Sequence, residues 1–321
     1  MRRLAVLTAF ALSSPASARD FAPRNDLEIV ALDLATGAVK WVHKGAPLGH
    51  AHCELYPKLL AVYPHYDVRD RSKPMLLDPA TGAVASDTRD PKQLIAASSV
   101  QWIRGPVTLA NGWTAKFDAG NTRTIEWKDP STGKVVWTID PGVYAERVLA
   151  YKDLALVGWG YLTDEAILEA YKPGAKTPAW RIDFNVLLGK PKAKKALERL
   201  GRVQPQVIGD VLYLQTGQHV FAIAPATGKI LWRLDAANAI GVKYEPDLYG
   251  GALDVSVFSR DKDTLVVMFE KRVFALDART GRVQWHVDPD TFPHSAFPLA
   301  HGGVVYLSSG PKRGKAIRGN P

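Results

Sequence analysis

The sequence predicts an all-β fold, a β-propeller of four-stranded antiparallel blades. Three observations predict it: a turn frame that recurs along the chain, a period-two apolar pattern after each turn, and spacings that fit one blade per copy. Five segments share the frame Ala-x-Asp-x-x-Thr-Gly-x-x-x-Trp. They run through Asp33, Gly37 and Trp41; Asp78 and Gly82; Asp129, Gly133 and Trp137; Ala224, Gly228 and Trp232; and Asp277, Gly281 and Trp285. A degenerate sixth copy runs from Ala170 through Gly174 to Trp180.

Each feature of the frame has a physical reason. The aspartate four residues before the glycine can accept hydrogen bonds from backbone N–H groups ahead of it, and the glycine takes the positive φ that a Cβ would penalise. Together they make a hairpin. After the turn, Val283, Trp285 and Val287 share one strand face and Arg282, Gln284 and His286 the other; Lys229 to Leu234 has the same alternation. The six glycines are 45, 51, 41, 54 and 53 residues apart, which allows four strands per repeat.

On these residues the frame resembles the PQQ-like, quinoprotein-type β-propeller repeat across essentially the whole chain after its leader. The resemblance implies that Trp41, Trp137, Trp180, Trp232 and Trp285 are structural, each packing between neighbouring blades over the motif's small alanine. The second repeat has Ser86 in place of tryptophan, so its contact with the next blade is expected to be weaker. Strands at Leu27 to Asp33 and Ala38 to His43, joined to strands within Phe297 to Ser308, would complete one blade from both ends of the chain and remove an open edge. Closure of this kind gives six blades; an irregular copy within Gln93 to Gly133 would give seven.

The first residues predict an export signal: Arg2 and Arg3, then apolar Leu4 to Leu12, then the cleavage pattern Ala16-Ser17-Ala18. The expected organisation is a signal peptide over 1–18, the propeller over 19–309 and a basic, disordered tail over 310–321. Cleavage near Ala18 implies a periplasmic or secreted protein. No segment approaches the roughly 20 apolar residues of a membrane-spanning helix. Cys53 is the only cysteine, so an intramolecular disulfide is excluded.

The formal charge of +9 dissolves when divided along the chain. Loss of Arg2 and Arg3 leaves +7; Lys190 to Arg202 carries +5 and the tail +4, so the remaining body is −2. That distribution argues against nucleic acid as a partner. Lys190 to Arg202, including Lys194 and Lys195, has the spacing of a short amphipathic helix that could dock an acidic partner.

Two functional classes follow. The resemblance brings to mind a pyrroloquinoline quinone and calcium dehydrogenase, but such enzymes resemble eight-bladed propellers about twice this length, with an adjacent cysteine pair that Cys53 alone cannot form. Quinone-dependent activity is therefore not expected. The favoured class is a non-catalytic, BamB-like scaffold binding a cell-envelope protein or peptide, with Tyr144, Tyr244, Tyr249, Lys194 and Lys195 as candidate contacts. The chain is expected to be monomeric and without an organic cofactor. The alternative is a metal- or small-molecule-binding propeller, with or without activity, at the channel mouth. His50, His52, His65 and His294 fall in connections predicted to share one face, near Cys53 and Glu54, and could hold a transition metal.

Overall fold

The computed structural model describes residues 27–46, 52–56, 58–63, 74–85, 98–99, 106–117, 122–140, 142–159, 165–189, 203, 205–241, 258–269, 272–287 and 298–309. In chain order the elements begin with β1 (Leu27–Asp33), β2 (Val39–Ala46), β3 (His52–Tyr56), β4 (Leu59–Tyr63), β5 (Met75–Leu77) and β6 (Ser98–Ser99). They continue with β7 (Val107–Thr108), β8 (Thr114–Ala115), β9 (Ile125–Lys128), β10 (Val135–Ile139), β11 (Ala145–Tyr151), β12 (Leu154–Trp159), β13 (Ile167–Tyr171) and β14 (Trp180–Asp183). After α1 (Phe184–Leu187) come β15 (Gln206–Ile208), β16 (Val211–Thr216), β17 (His219–Ala224), β18 (Lys229–Asp235) and α2 (Ala236–Ala239). The last are β19 (Phe258–Asp261), β20 (Thr264–Phe269), β21 (Arg272–Asp277), β22 (Val283–Val287), β23 (Leu299–His301) and β24 (Val304–Ser309).

These strands form six four-stranded antiparallel sheets, the arrangement of a β-propeller. The first joins both ends of the chain in the order β2-β1-β24-β23, with Ala31 opposite Trp41 and opposite Tyr306. The third is β7 to β10, the fourth β11 to β14, the fifth β15 to β18 and the sixth β19 to β22. In the second, the order is β5-β4-β3-β6.

The second sheet departs from the repeat. Its fourth strand was expected after Gly82, but the chain there contributes one bridge, Leu77 to Val84, and a bond from Ala85 N–H to the Leu76 carbonyl (2.9 Å). The fourth strand is instead β6, paired with the opposite edge of β3. Val84 and Ala85 are followed by Ser86, Asp87 and Thr88, so the sequence carries no apolar residue to seat against the sheet beyond that bridge.

The hairpins form as their residues dictate. Asp33 Oδ1 accepts from the backbone of Ala35 (3.1 Å) and Thr36 (3.0 Å) and from the Thr36 hydroxyl (2.9 Å). The chain then reverses at Gly37, φ +71°, where a Cβ would lie 2.8 Å from the Trp285 ring; backbone and packing both exclude a side chain. Asp78, Asp129 and Asp277 cap their turns in the same way.

Tryptophans join the sheets. Trp41, Trp180, Trp232 and Trp285 lie over Gly82, Gly228, Gly281 and Gly37 of the following sheet. Each donates its indole N–H to the carbonyl three residues before that glycine: Pro79 (3.1 Å), Pro225 (3.0 Å), Ala278 (3.0 Å) and Leu34 (2.7 Å). Small residues face them across their own hairpins, as in Ala222 opposite Trp232 and Ala275 opposite Trp285. Trp137 follows a variant: it donates to Ala175 (2.9 Å) and stacks on Trp127, with ring centroids 5.6 Å apart.

Apolar clusters fill five junctions. They link the third sheet to the fourth, the fourth to the fifth, the fifth to the sixth, the sixth to the first, and the first to the second. The remaining cluster, Tyr56, Leu59 and Ala61 with Leu76 and Ala85, draws every described member from the second sheet. Among the described residues no apolar cluster links the second sheet to the third.

Candidate functional site

A four-stranded sheet buried on both faces offers a partner only its edges and loops. The third sheet is different. On its face toward the fourth sheet, Val107, Ala115, Ile125, Trp127, Trp137 and Ile139 are buried in one cluster with Val148, Val157, Trp159 and Tyr171. Its other face is set by register: Thr108 opposes Thr114, Thr114 opposes Lys128, and Glu126 opposes Thr138. Of these, Thr108, Glu126, Lys128 and Thr138 are exposed and Thr114 is half-buried. Val135 and Val136 are 47% and 41% exposed, beside them on β10. Lys128 and Glu126 make an ion pair at 3.9 Å, both more than half exposed, which adds little to stability.

The turn that ends this face is built like the others. Asp129 accepts from the Ser131 N–H (2.7 Å) and hydroxyl (2.6 Å), and Gly133 has φ +67°. The Ser131 hydroxyl, with backbone N–H groups, holds the Asp129 carboxyl below the usual carboxylate range. Yet Gly133 and Pro130 are exposed, and no described atom lies within 4 Å of the position a Gly133 Cβ would take. Gly82 and Gly281, which carry indoles, are buried.

The fourth sheet brings ionisable groups into the interior. Glu169 accepts from Trp159 Nε1 (2.7 Å), the Tyr171 hydroxyl (2.6 Å) and Arg181 (2.8 Å), a carboxylate satisfied by its own chain. Burial, and then the Glu169 carboxylate, push the Tyr171 hydroxyl upward. Glu146 and Arg147 sit at an irregularity in β11; burial lowers Arg147 and the neighbouring Glu146 opposes that shift. These groups explain packing, and they do not form a nucleophile with its base.

Few of the sequence-predicted contacts can be placed. His50, His65, His294, Tyr244, Tyr249, Lys194 and Lys195 lie outside the described residues, as do Ser86, the export signal and the tail. His52, Cys53 and Glu54 were expected in a connection but belong to β3; the His52 side chain is outside the described set. Cys53 is fully buried, which pushes its thiol up to about 12, and Glu54 accepts from the Tyr56 hydroxyl at 2.7 Å. These two were the neighbours proposed for a metal, and burial in the sheet removes both from a site at the loops. No cluster of three or more His, Cys, Asp or Glu occurs among the described residues. Tyr144 is half-buried, with the Arg123 guanidinium 4.4 Å from its ring centre, and it does not join the third-sheet face. His43 Nδ1 is 2.8 Å from the Gly82 carbonyl across the junction of the first and second sheets.

The uncovered face itself was not anticipated, although its signal is in the sequence. Ile125-Glu126-Trp127-Lys128 alternates, whereas Val220-Phe221-Ala222-Ile223 at the equivalent strand of the fifth sheet is continuously apolar.

A family model described as outer membrane protein assembly factor BamB matches residues 122–318. No curated protein matches the sequence. Among solved structures, BamB from Moraxella catarrhalis is 14% identical, with 85% of this chain and 74% of that one covered and a TM-score of 0.39. Quinohemoprotein alcohol dehydrogenase from Comamonas testosteroni is 16% identical over 62% of this chain and 38% of that one, with a TM-score of 0.41.

Proposed function

The chain belongs to the outer membrane protein assembly factor BamB family, and on that premise we propose that it is a non-catalytic scaffold binding a protein or peptide partner in the cell envelope. The observation that carries this reading is that, among the described residues, five junctions between sheets are filled by apolar clusters while the third sheet carries exposed polar residues on its other face. Indoles and buried carboxylates serve packing, while a broad, shallow surface remains for a macromolecule. Export is supported by the charged, apolar and small-residue sequence of Arg2 to Ala18. No described helix is long and apolar enough to cross a membrane. Tyr144, and beyond the described residues Tyr244, Tyr249, Lys194 and Lys195, are the candidate contacts contributed by the connections.

Cross-linking of the full chain in its native envelope tests the scaffold. One discrete adduct with another envelope protein, retained after washing, is the expected result. Recovery of the chain without any adduct, while a known envelope complex cross-links in the same sample, would overturn the reading.

A further inference from the structure

We propose that the end of the propeller bearing the glycine turns docks on an anionic phospholipid surface. This contact is additional to the protein partner of the scaffold reading and does not depend on it. Indole bonds gather the turns into one rim: Trp41 reaches the turn of the second sheet, Trp137 that of the fourth, Trp180 that of the fifth, Trp232 that of the sixth and Trp285 that of the first. Turns between the inner strands lie at the same end. Leu34 N–H bonds the Gly303 carbonyl (3.0 Å), and Ala278 N–H bonds the Asp263 carbonyl (2.8 Å).

The chain leaves this rim just after each turn glycine, and in five of the six sheets an exposed basic residue follows within three positions: Lys40, Lys134, Lys176, Lys229 and Arg282. No carboxylate occupies any of those positions. The acidic residues of the turns face inward: Asp33, Asp78, Asp129 and Asp277 are half-buried and accept from backbone N–H groups of their own turns. Elsewhere at this end the exposed charges are largely matched. Lys152 pairs with Asp210 at 3.4 Å and Arg279 with Asp263 at 3.1 Å, and Lys58 and Lys262 stand with Asp153. The excess of positive charge therefore lies on the outer rim, and its spread selects the partner. A single acidic segment would meet one or two turns, whereas a planar anionic surface meets all five side chains, each of which adds its own attraction. Lysine stems can also lie along apolar surface while the ammonium reaches phosphate. Val39 (47% exposed), Val84 (69%) and Val135 (47%), each two residues after its glycine, set apolar side chains among these cations on three successive sheets.

Co-sedimentation of the protein, purified from the envelope, with lipid vesicles tests this contact. The probes are vesicles of phosphatidylcholine alone and of phosphatidylcholine with about 30% phosphatidylglycerol. Partition is expected to be at least about tenfold higher on the anionic vesicles and to fall with added salt. The triple variant Lys134→Glu, Lys176→Glu, Lys229→Glu is expected to lose at least about tenfold of that partition while its near-ultraviolet circular dichroism is unchanged. The basic stretches at 190–202 and 310–321 also attract anions, so a matched control is needed. Lys44→Glu, Arg123→Glu, Arg233→Glu removes the same charge from exposed positions at or toward the far ends of β2, β9 and β18, and it is expected to lose much less. A polarity-sensitive dye on Val84→Cys, with Cys53 buried and unlabelled, is expected to shift to the blue on anionic vesicles. That reading stands even if the triple variant does not fold. Equal partition on both vesicle types, equal losses in the two triple variants, or an unmoved dye overturns the proposal. A native cross-link to an acidic protein that the rim variant loses, with no vesicle binding, would assign the rim to that protein and overturn the lipid assignment.

Discussion

In the fourth sheet every residue of β12 and β13 is buried: Leu154, Leu156, Leu168 and Ala170 pack toward the fifth sheet, and Ala155, Val157, Ile167 and Tyr171 toward the third. In the adjacent third sheet, β9 alternates, with Ile125 and Trp127 buried and Glu126 and Lys128 in solvent. Both sheets have four strands and both end in a glycine turn, so strand geometry does not account for the contrast. Neighbours do. A sheet in this architecture needs a partner on each face, and the sequence of its middle strands records whether it has two partners or one.

The largest expected effect compares single residues on the two sheets. Trp159 is fully buried and hydrogen-bonded, and its replacement by alanine should cost about 3–5 kcal/mol. Lys128→Ala on the open face should stay within about 0.5 kcal/mol. Urea unfolding followed by tryptophan fluorescence measures both. A large cost for Lys128→Ala would mean that the face is covered and the contrast false.

A smaller effect sharpens the contrast at the junction of these same two sheets. Glu169 is 2% exposed and satisfies three donors, one of them the half-exposed Arg181. Glu169→Gln keeps the shape, and the amide oxygen can still accept from Trp159 and Tyr171, which share one carboxylate oxygen, while the amide NH2 replaces the oxygen that accepts from Arg181. The expected loss is about 1–3 kcal/mol, because Arg181 can turn to water once its partner is neutral. Restored stability in Glu169→Gln with Arg181→Leu would show that the stranded arginine, and not the indole, dominates that cost.

The sequence carried the repeat because its signals are local. Asp33, Thr36, Gly37 and Trp41 lie within nine residues, and each acts on a neighbour in the turn or the next sheet. The strands at the two ends also carried their own apolar patterns, and β1, β2, β23 and β24 do share a sheet. Other elements depend on distant groups. Nothing in Ser98-Ser99 marks a strand; β6 exists through its pairing with Glu54 and Leu55. Asp183 caps α1 through the N–H groups of Asn185 and Val186, but a one-turn helix leaves no periodicity to detect. The open face was half legible: Ser86 announced a missing indole, while the consequence for Glu126 and Lys128 lay in the next repeat.

The smallest expected effect concerns acid. Hydrogen bonds from Thr36, Ser131 and Thr280 hold Asp33, Asp129 and Asp277 below the ordinary carboxylate range. A depressed folded-state pKa means that the unfolded chain binds protons more readily, so stability from these turns is complete above about pH 4 and declines as pH falls through the folded values. The turn at Asp277 supports Gly281 under Trp232, whereas the turn at Asp129 supports a glycine with no described neighbour. Protonating Asp277 therefore loosens a packed junction, and protonating Asp129 frays a hairpin end whose glycine has no described neighbour. Asp277→Asn should shift the acid-unfolding midpoint measured by near-ultraviolet circular dichroism, and Asp129→Asn should shift it less. Equal shifts would show that the Asp129 turn is as firmly coupled to the fold as the Asp277 turn.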